Sequence, residues 1–158
     1  MSYVKFWVHA VWGTKYHRPV LSDNFRPELF KHISENAQKK KIYLDCINGY
    51  IDHVHCLISF EPQQNIAEIL QLLKGESSFW AKKVPEIKER WNGWADDYCA
   101  ISVSPSNVNR VRQYIKNQEQ HHRKVSFQKE WENFVKECGF LMGRDGGLKP
   151  AYEAAQAL

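Results

Sequence analysis

Asp52-His53-Val54-His55-Cys56-Leu57-Ile58-Ser59-Phe60 is the stretch whose reading decides the fold. Val54, Cys56, Ile58 and Phe60 share one parity; His53, His55, Leu57 and Ser59 share the other. A period of two means a strand, here with one face for a core and a second face that carries two imidazoles. Pro62 stops it.

Working outward, Val4, Phe6, Val8, Ala10 and Trp12 alternate with Lys5, Trp7, His9 and Val11, which predicts a first strand. Ser22 offers an N-cap, and Phe25, Leu29, Phe30, Ile33 and Ala37 recur at helical spacing. Ile42 to Tyr50 reads as a strand, with Asn48-Gly49 as a bend or bulge. Beyond Pro62, Ile66, Ile69, Leu70, Leu73, Phe79 and Trp80 predict a second helix, interrupted or kinked near Gly75. Trp91 to Trp94 reads as a turn region and Tyr98 to Ser104 as a fourth strand. A third helix follows Asn107, a possible cap, and a fourth spans Ser126 to Cys138. The order β-α-β-β-α-β predicts an α+β, ferredoxin-like split βαβ antiparallel sheet, with two helices on one face and two further helices at the C-terminal end. Residues 1–140 are expected to form one domain and 141–158 a peripheral tail.

The 158 residues are 43% hydrophobic and 25% charged, with 6 Trp, 7 Tyr and 8 Phe to build a core. Mean hydropathy is −0.58, and no window approaches the ~18 apolar residues of a membrane helix. Met1-Ser2-Tyr3-Val4-Lys5 leads into a strand pattern without a signal-peptide core, so a cytoplasmic protein with no membrane partner is expected. Cys46, Cys56, Cys99 and Cys138 lack CxxC spacing and are read as reduced thiols.

Charge is unevenly placed. Residues 110–124 carry Arg110, Arg112, Lys116, Arg123 and Lys124 against Glu119 alone, an excess equal to the net charge of +4. Such a segment suits a polyanion, nucleic acid first, although charge alone equally describes a solvated helix face.

His53 and His55 at i and i+2 point to one face and can share a divalent cation; the bland alternative is a pair of half-buried histidines. On the third helix, Tyr114 and Gln118 are i and i+4 and stack on one face, offering a phenol and a neutral oxygen ligand. His121 or His122 could replace Gln118. A phenol with a reference pKa near ~10 becomes a useful nucleophile when a cation polarises its phosphate target. A zinc site from His53, His55, Cys46 and Cys56 is the weakest option, because Cys56 points away from the histidines.

Asp52-His53-Val54-His55, Leu72-Leu73-Lys74-Gly75 and Tyr114-Ile115-Lys116-Asn117-Gln118, in that order, resemble the single-tyrosine HUH transposases of the insertion-sequence-200/605 group. His9 to Val20 is similar to their first strand and basic loop, and Gln118 to Lys124 to the ending of their tyrosine helix. The resemblance covers roughly residues 3–140. Tyr50-Ile51 departs from it, since relatives often carry Met-Pro there. The resemblance implies a homodimer that binds single-stranded DNA with hairpin ends. It implies Mg2+ or Mn2+ held by His53, His55 and Gln118, and Tyr114 as the nucleophile that keeps the 5′ end as a phosphotyrosine. Lys15, Arg18, Lys74, Arg112, Lys116 and Arg123 are the expected DNA contacts. A domesticated repeat-associated tyrosine nuclease would share these features. A non-catalytic single-stranded nucleic-acid-binding module on the same topology would instead show stacking aromatics on the open face.

Overall fold

A computed structural model describes residues 1–138 and the backbone of Phe140–Met142 and Leu148–Pro150. The chain divides into two compact units, Met1–Gln120 and His121–Leu158.

The first unit contains β1 (Phe6–Gly13), α1 (Phe25–Lys39), β2 (Tyr43–Gly49), β3 (His53–Phe60), α2 (Ile66–Ala81), β4 (Cys99–Ser102) and α3 (Val108–Lys116). Its sheet is antiparallel throughout, in the order β2-β3-β1-β4, which is the split βαβ arrangement that the element order predicts. The even-numbered residues of β1 and β3, Val8, Ala10, Trp12, Val54, Cys56 and Ile58, pack with Phe25, Leu29, Ile33, Ile69, Leu70 and Leu73 from α1 and α2. Each large side chain so buried contributes about 1.5–3 kcal/mol relative to exposure. On the opposite face Leu57, Val108 and Ile115 form a smaller cluster with Trp7, Cys46, Val111 and Tyr114, so α3 covers the face that carries the histidines.

Several details differ from the sequence reading. β1 begins at Phe6, because Phe6 pairs with Phe60 at the end of β3 and Val4 has no strand opposite it. β4 spans four residues, since it pairs only with Val8 to Val11. α2 runs unbroken through Gly75; that position costs about 1 kcal/mol relative to Ala, less than the burial of the flanking Leu70, Leu73, Ser77 and Ala81 stripe returns. Ser22 acts one turn ahead of α1, where its Oγ accepts from the Phe25 N–H at 3.2 Å. Asn107 ends a 3₁₀ turn (Pro105–Asn107) and makes no side-chain cap.

The irregularity in β2 lies at Asp45, not Asn48-Gly49. Leu44 pairs with Ile58 and Cys46 with Leu57, so Asp45 is the extra residue of a bulge, and Cys46 and Asn48 end up on the α3 face. Gly49 is required for another reason. A Cβ there would lie 2.1 Å from the His53 carbonyl oxygen, in the tight turn that delivers the chain into β3. Trp91 and Trp94 are more than turn residues: both are buried in the main core and donate to Ser78 Oγ and Ser77 Oγ of α2 at 3.2 and 3.0 Å.

The third helix of the sequence reading is two helices. α3 ends at Asn117 (φ −95°, ψ 17°), and α4 (Gln118–His122) follows directly. The break has a visible cause: Asn48 Nδ2 donates to the carbonyls of Ile115 and Lys116 at 2.9 and 3.0 Å, capping α3 from β2.

Within the second unit, α5 (Phe127–Glu137) starts at Ser126, whose Oγ accepts from the Lys129 N–H at 3.3 Å. β5 (Phe140–Met142) and β6 (Leu148–Pro150) pair antiparallel. The remainder of the expected 141–158 tail lies outside the described residues. Cys46, Cys56, Cys99 and Cys138 are reduced thiols outside any disulfide. Among the described residues no helix is long and apolar enough to cross a membrane.

Candidate active site

β3 presents His53 and His55 on the face beneath α3, both fully buried, with ring centroids 5.1 Å apart and planes at 75°. A ring nitrogen of one lies within 4.8 Å of a ring nitrogen of the other. Asp52 Oδ1 lies 2.7 Å from His53 Nδ1. His9 Nε2, from β1, lies 2.9 Å from His55 Nδ1. Each Nδ1 therefore has a partner within hydrogen-bond distance that restrains its ring.

Gln118 is fully buried and donates from Nε2 to the Tyr114 carbonyl at 3.3 Å, which sets Oε1 3.3 Å from His53 Nε2. His53 Nε2 and Gln118 Oε1 are close enough to reach one shared ion. Two imidazoles and a neutral oxygen form a donor set that fits a divalent first-row cation, and the residues present are compatible with such an ion. Tyr114, half-buried on α3, packs edge-on against His55 and His9, with ring centroids 5.7 and 6.0 Å away. The i, i+4 relation read from the sequence thus survives the break between α3 and α4.

His121 and His122, the alternatives to Gln118, meet the buried Glu130 carboxylate within the second unit, at 2.7 and 3.2 Å. Cys56 packs in the main core, away from the histidine face, and burial pushes its thiol well above the ordinary range. The Cys46 thiol is pushed up to about 11, first by burial and then by the neighbouring Asp45 carboxylate. Among the described residues, the clustered ligand atoms around His53 and His55 include neither thiol of the zinc alternative.

The basic residues occupy different surroundings. Lys15 opens and Arg18 follows a 3₁₀ turn (Lys15–His17) in which Tyr16 and His17 take positive φ of 60° and 53°. Thr14 pins this loop to the entrance of β3 through its N–H to the Asp52 carbonyl at 2.8 Å. Arg18 donates to Asn92 Oδ1 at 2.9 Å, and Lys15 Nζ lies over the Tyr16 ring. Lys74 Nζ donates to the Asp96 carbonyl at 3.1 Å beside Tyr98, and burial lowers its pKa. Lys116 is exposed on α3 and Arg123 is exposed in the second unit. Arg112 grips both oxygens of Asp45 at 2.7 and 2.9 Å, so its guanidinium ties α3 to the β2 bulge.

The sequence reading missed His9, Asp52 and Asn48 as supports. A signal existed for His9: it shares the parity of Trp7 and Val11, and an antiparallel β1–β3 pair puts that parity on the histidine face. No comparable signal existed for Asn48, which reaches α3 because of the bulge at Asp45.

Residues 2–118 match the family model for IS200-like transposases. The ISDra2 transposase TnpA of Deinococcus radiodurans is 31% identical over 117 residues, covering 70% of this chain and 81% of that protein. A crystal structure of a Deinococcus radiodurans R1 protein assigned as a transposase superposes with a TM-score of 0.60 at 32% identity, over 75% of this chain and 95% of that one. A REP-associated tyrosine transposase bound to a REP hairpin shares the fold, with a TM-score of 0.53 at 14% identity over 80% and 73% of the two chains. Fold and matches together define a transposase. The chain belongs to the IS200-like transposase family.

Proposed function

We propose that this transposase cleaves and rejoins single-stranded DNA through a covalent tyrosine intermediate, with Mg2+ or Mn2+ as cofactor. The observation that carries the reading is the convergence of Tyr114, His53, His55 and Gln118 on one covered sheet face. His53 and His55, through Nε2, and Gln118, through Oε1, would hold the cation. When bound, such an ion polarises a scissile phosphate and offsets developing charge. Tyr114 Oη attacks the phosphorus and loses its proton. The bond to the 3′ oxygen breaks, and that oxygen leaves as a hydroxyl after taking up a proton. The 5′ phosphate stays on Tyr114, and attack by another 3′ hydroxyl reverses the step and restores the phenol. The edge packing against His9 and His55 limits the phenol's motion, which is the positioning that such an attack needs.

Lys15, Arg18, Lys74, Lys116 and Arg123 are assigned to DNA, and hairpin-bearing single strands are the substrate class. Arg112 is assigned to holding α3, since Asp45 occupies its guanidinium. The transposase domain is taken as residues 1–140. A homodimer is proposed because the family resemblance implies one, with β4 at the sheet edge as a route for strand pairing; a mass near 18.6 kDa by light scattering at micromolar concentration would refute it.

Tyr114→Phe tests the chemistry. It removes one oxygen and should leave fold and DNA binding intact while abolishing both cleavage and the covalent protein–DNA product with Mn2+. Persistence of the adduct would refute the nucleophile, and cleavage without an adduct would refute the covalent route.

A further inference from the structure

Beyond its packing against the Tyr114 ring, His9 is buried, 4% exposed, and meets His55 nitrogen to nitrogen. It sits in the middle of β1, directly opposite Leu57, with His55 opposite Val11. The two histidines are therefore diagonal neighbours on one face, within reach of each other across the strand pair. The Nε2–Nδ1 distance of 2.9 Å is that of a good hydrogen bond, and the rings are tilted by 31° with centroids 5.1 Å apart.

One proton must lie between these two nitrogens, and its location decides what His55 can do. A neutral imidazole carries one N–H and one lone pair. If the proton belongs to His55 Nδ1, Nε2 of the same ring carries the lone pair and can hold a cation. If it belongs to His9 Nε2, His55 must protonate Nε2 and cannot. We infer that His9 is a positioning residue: it accepts the Nδ1 proton of His55, fixes the tautomer that exposes the Nε2 lone pair, and holds the ring in place. Asp52 does the same for His53 with a carboxylate. The pair is thus oriented by two different groups, a carboxylate at the entrance of β3 and an imidazole from the middle of β1. His9 also contacts the Tyr114 ring edge, so one side chain braces both the proposed ligand and the proposed nucleophile.

The inference rests on the reading that His53 and His55 hold a divalent cation, and the experiment separates the two. Mn2+ affinity is measured by titration calorimetry and by the electron paramagnetic resonance signal of free Mn2+. The proteins compared are wild type, His9→Phe, which keeps the bulk and loses the acceptor, His9→Gln, which restores a neutral acceptor oxygen, and a His53→Ala, His55→Ala double variant. His9→Phe should weaken Mn2+ binding by 10–100-fold, the usual effect of losing such a partner, and His9→Gln should recover at least half of the loss on a logarithmic scale. Thermal melting without metal identifies any variant that fails to fold. Independently, nitrogen NMR of the wild-type imidazoles should show His55 as the Nδ1–H tautomer, a result that requires no variant. Wild-type Mn2+ affinity in His9→Phe, equal loss in His9→Phe and His9→Gln, or an Nε2–H tautomer at His55 would each overturn the proposal. Undiminished binding by the double variant would instead overturn the cation reading on which it rests.

Discussion

Asn48 should control how α3 meets α4, and its replacement gives a sign as well as a size. Its Nδ2 donates to the carbonyls of Ile115 and Lys116, which have no partner within α3 because the helix ends there. A net hydrogen bond contributes about 0.5–1.5 kcal/mol. The Lys116 carbonyl is on the exposed side and can turn to water, whereas Ile115 is fully buried, so the second loss is partial. Asn48→Ala should then cost about 1–2 kcal/mol, or roughly 2–8 °C in Tm for a chain of this size. Asn48→Asp is nearly isosteric but replaces the donor with an acceptor facing two carbonyls at the negative end of a helix. Near pH 7 it should cost about 0.3–1 kcal/mol more than Asn48→Ala. Urea unfolding of the three proteins at matched salt measures both differences, and Mn2+ affinity should fall in the same order because Gln118 begins the next helix. An Asp variant at least as stable as the Ala variant would refute the capping argument. So would two variants within 0.3 kcal/mol of wild type.

Gly49→Ala should be destabilised by at least about 2 kcal/mol in the same assay, because its Cβ meets main chain at His53 that cannot swing aside; a near-neutral effect would show that the β2–β3 turn relaxes. Lys15→Ala with Arg18→Ala should lower the salt dependence of single-strand binding by about 0.7 for each lost phosphate contact. Arg112→Ala should leave that slope unchanged while weakening binding through α3, and a slope that fell with Arg112 would return that residue to the phosphate. Cys46 should resist iodoacetamide at pH 8 and become reactive only toward pH 11, whereas half-maximal reaction near pH 9 would contradict the burial argument. Since the unfolded thiol ionises near 9 and the folded one near 11, the unfolded state loses its proton first as pH rises. Stability should therefore decline between those values, and Cys46→Ser should remove that part of the decline.

Much of this molecule was legible without coordinates wherever the information was local and periodic. The parity of His53 and His55 against Val54 and Cys56 requires only that the segment be a strand, because a period of two leaves no other assignment of faces. The element order determined the sheet, since right-handed crossovers and antiparallel neighbours leave few topologies. The family was legible because its motifs are ordered along the chain.

Tertiary structure decided what depends on register and on contacts between distant segments. The bulge at Asp45 changes which β2 residues face α3, and nothing in Leu44-Asp45-Cys46 announces an inserted residue. Through that bulge Asp45 reaches Arg112 and Asn48 reaches the end of α3, so a stretch of helical periodicity becomes two helices. Trp91 and Trp94 enter the core from a loop without periodicity, where burial had no pattern to reveal it. The same holds for His9. Its parity is local, but its partnership with His55 depends on the one β1–β3 register that sets Val11 against His55, and strand register is fixed by the packing of both faces together.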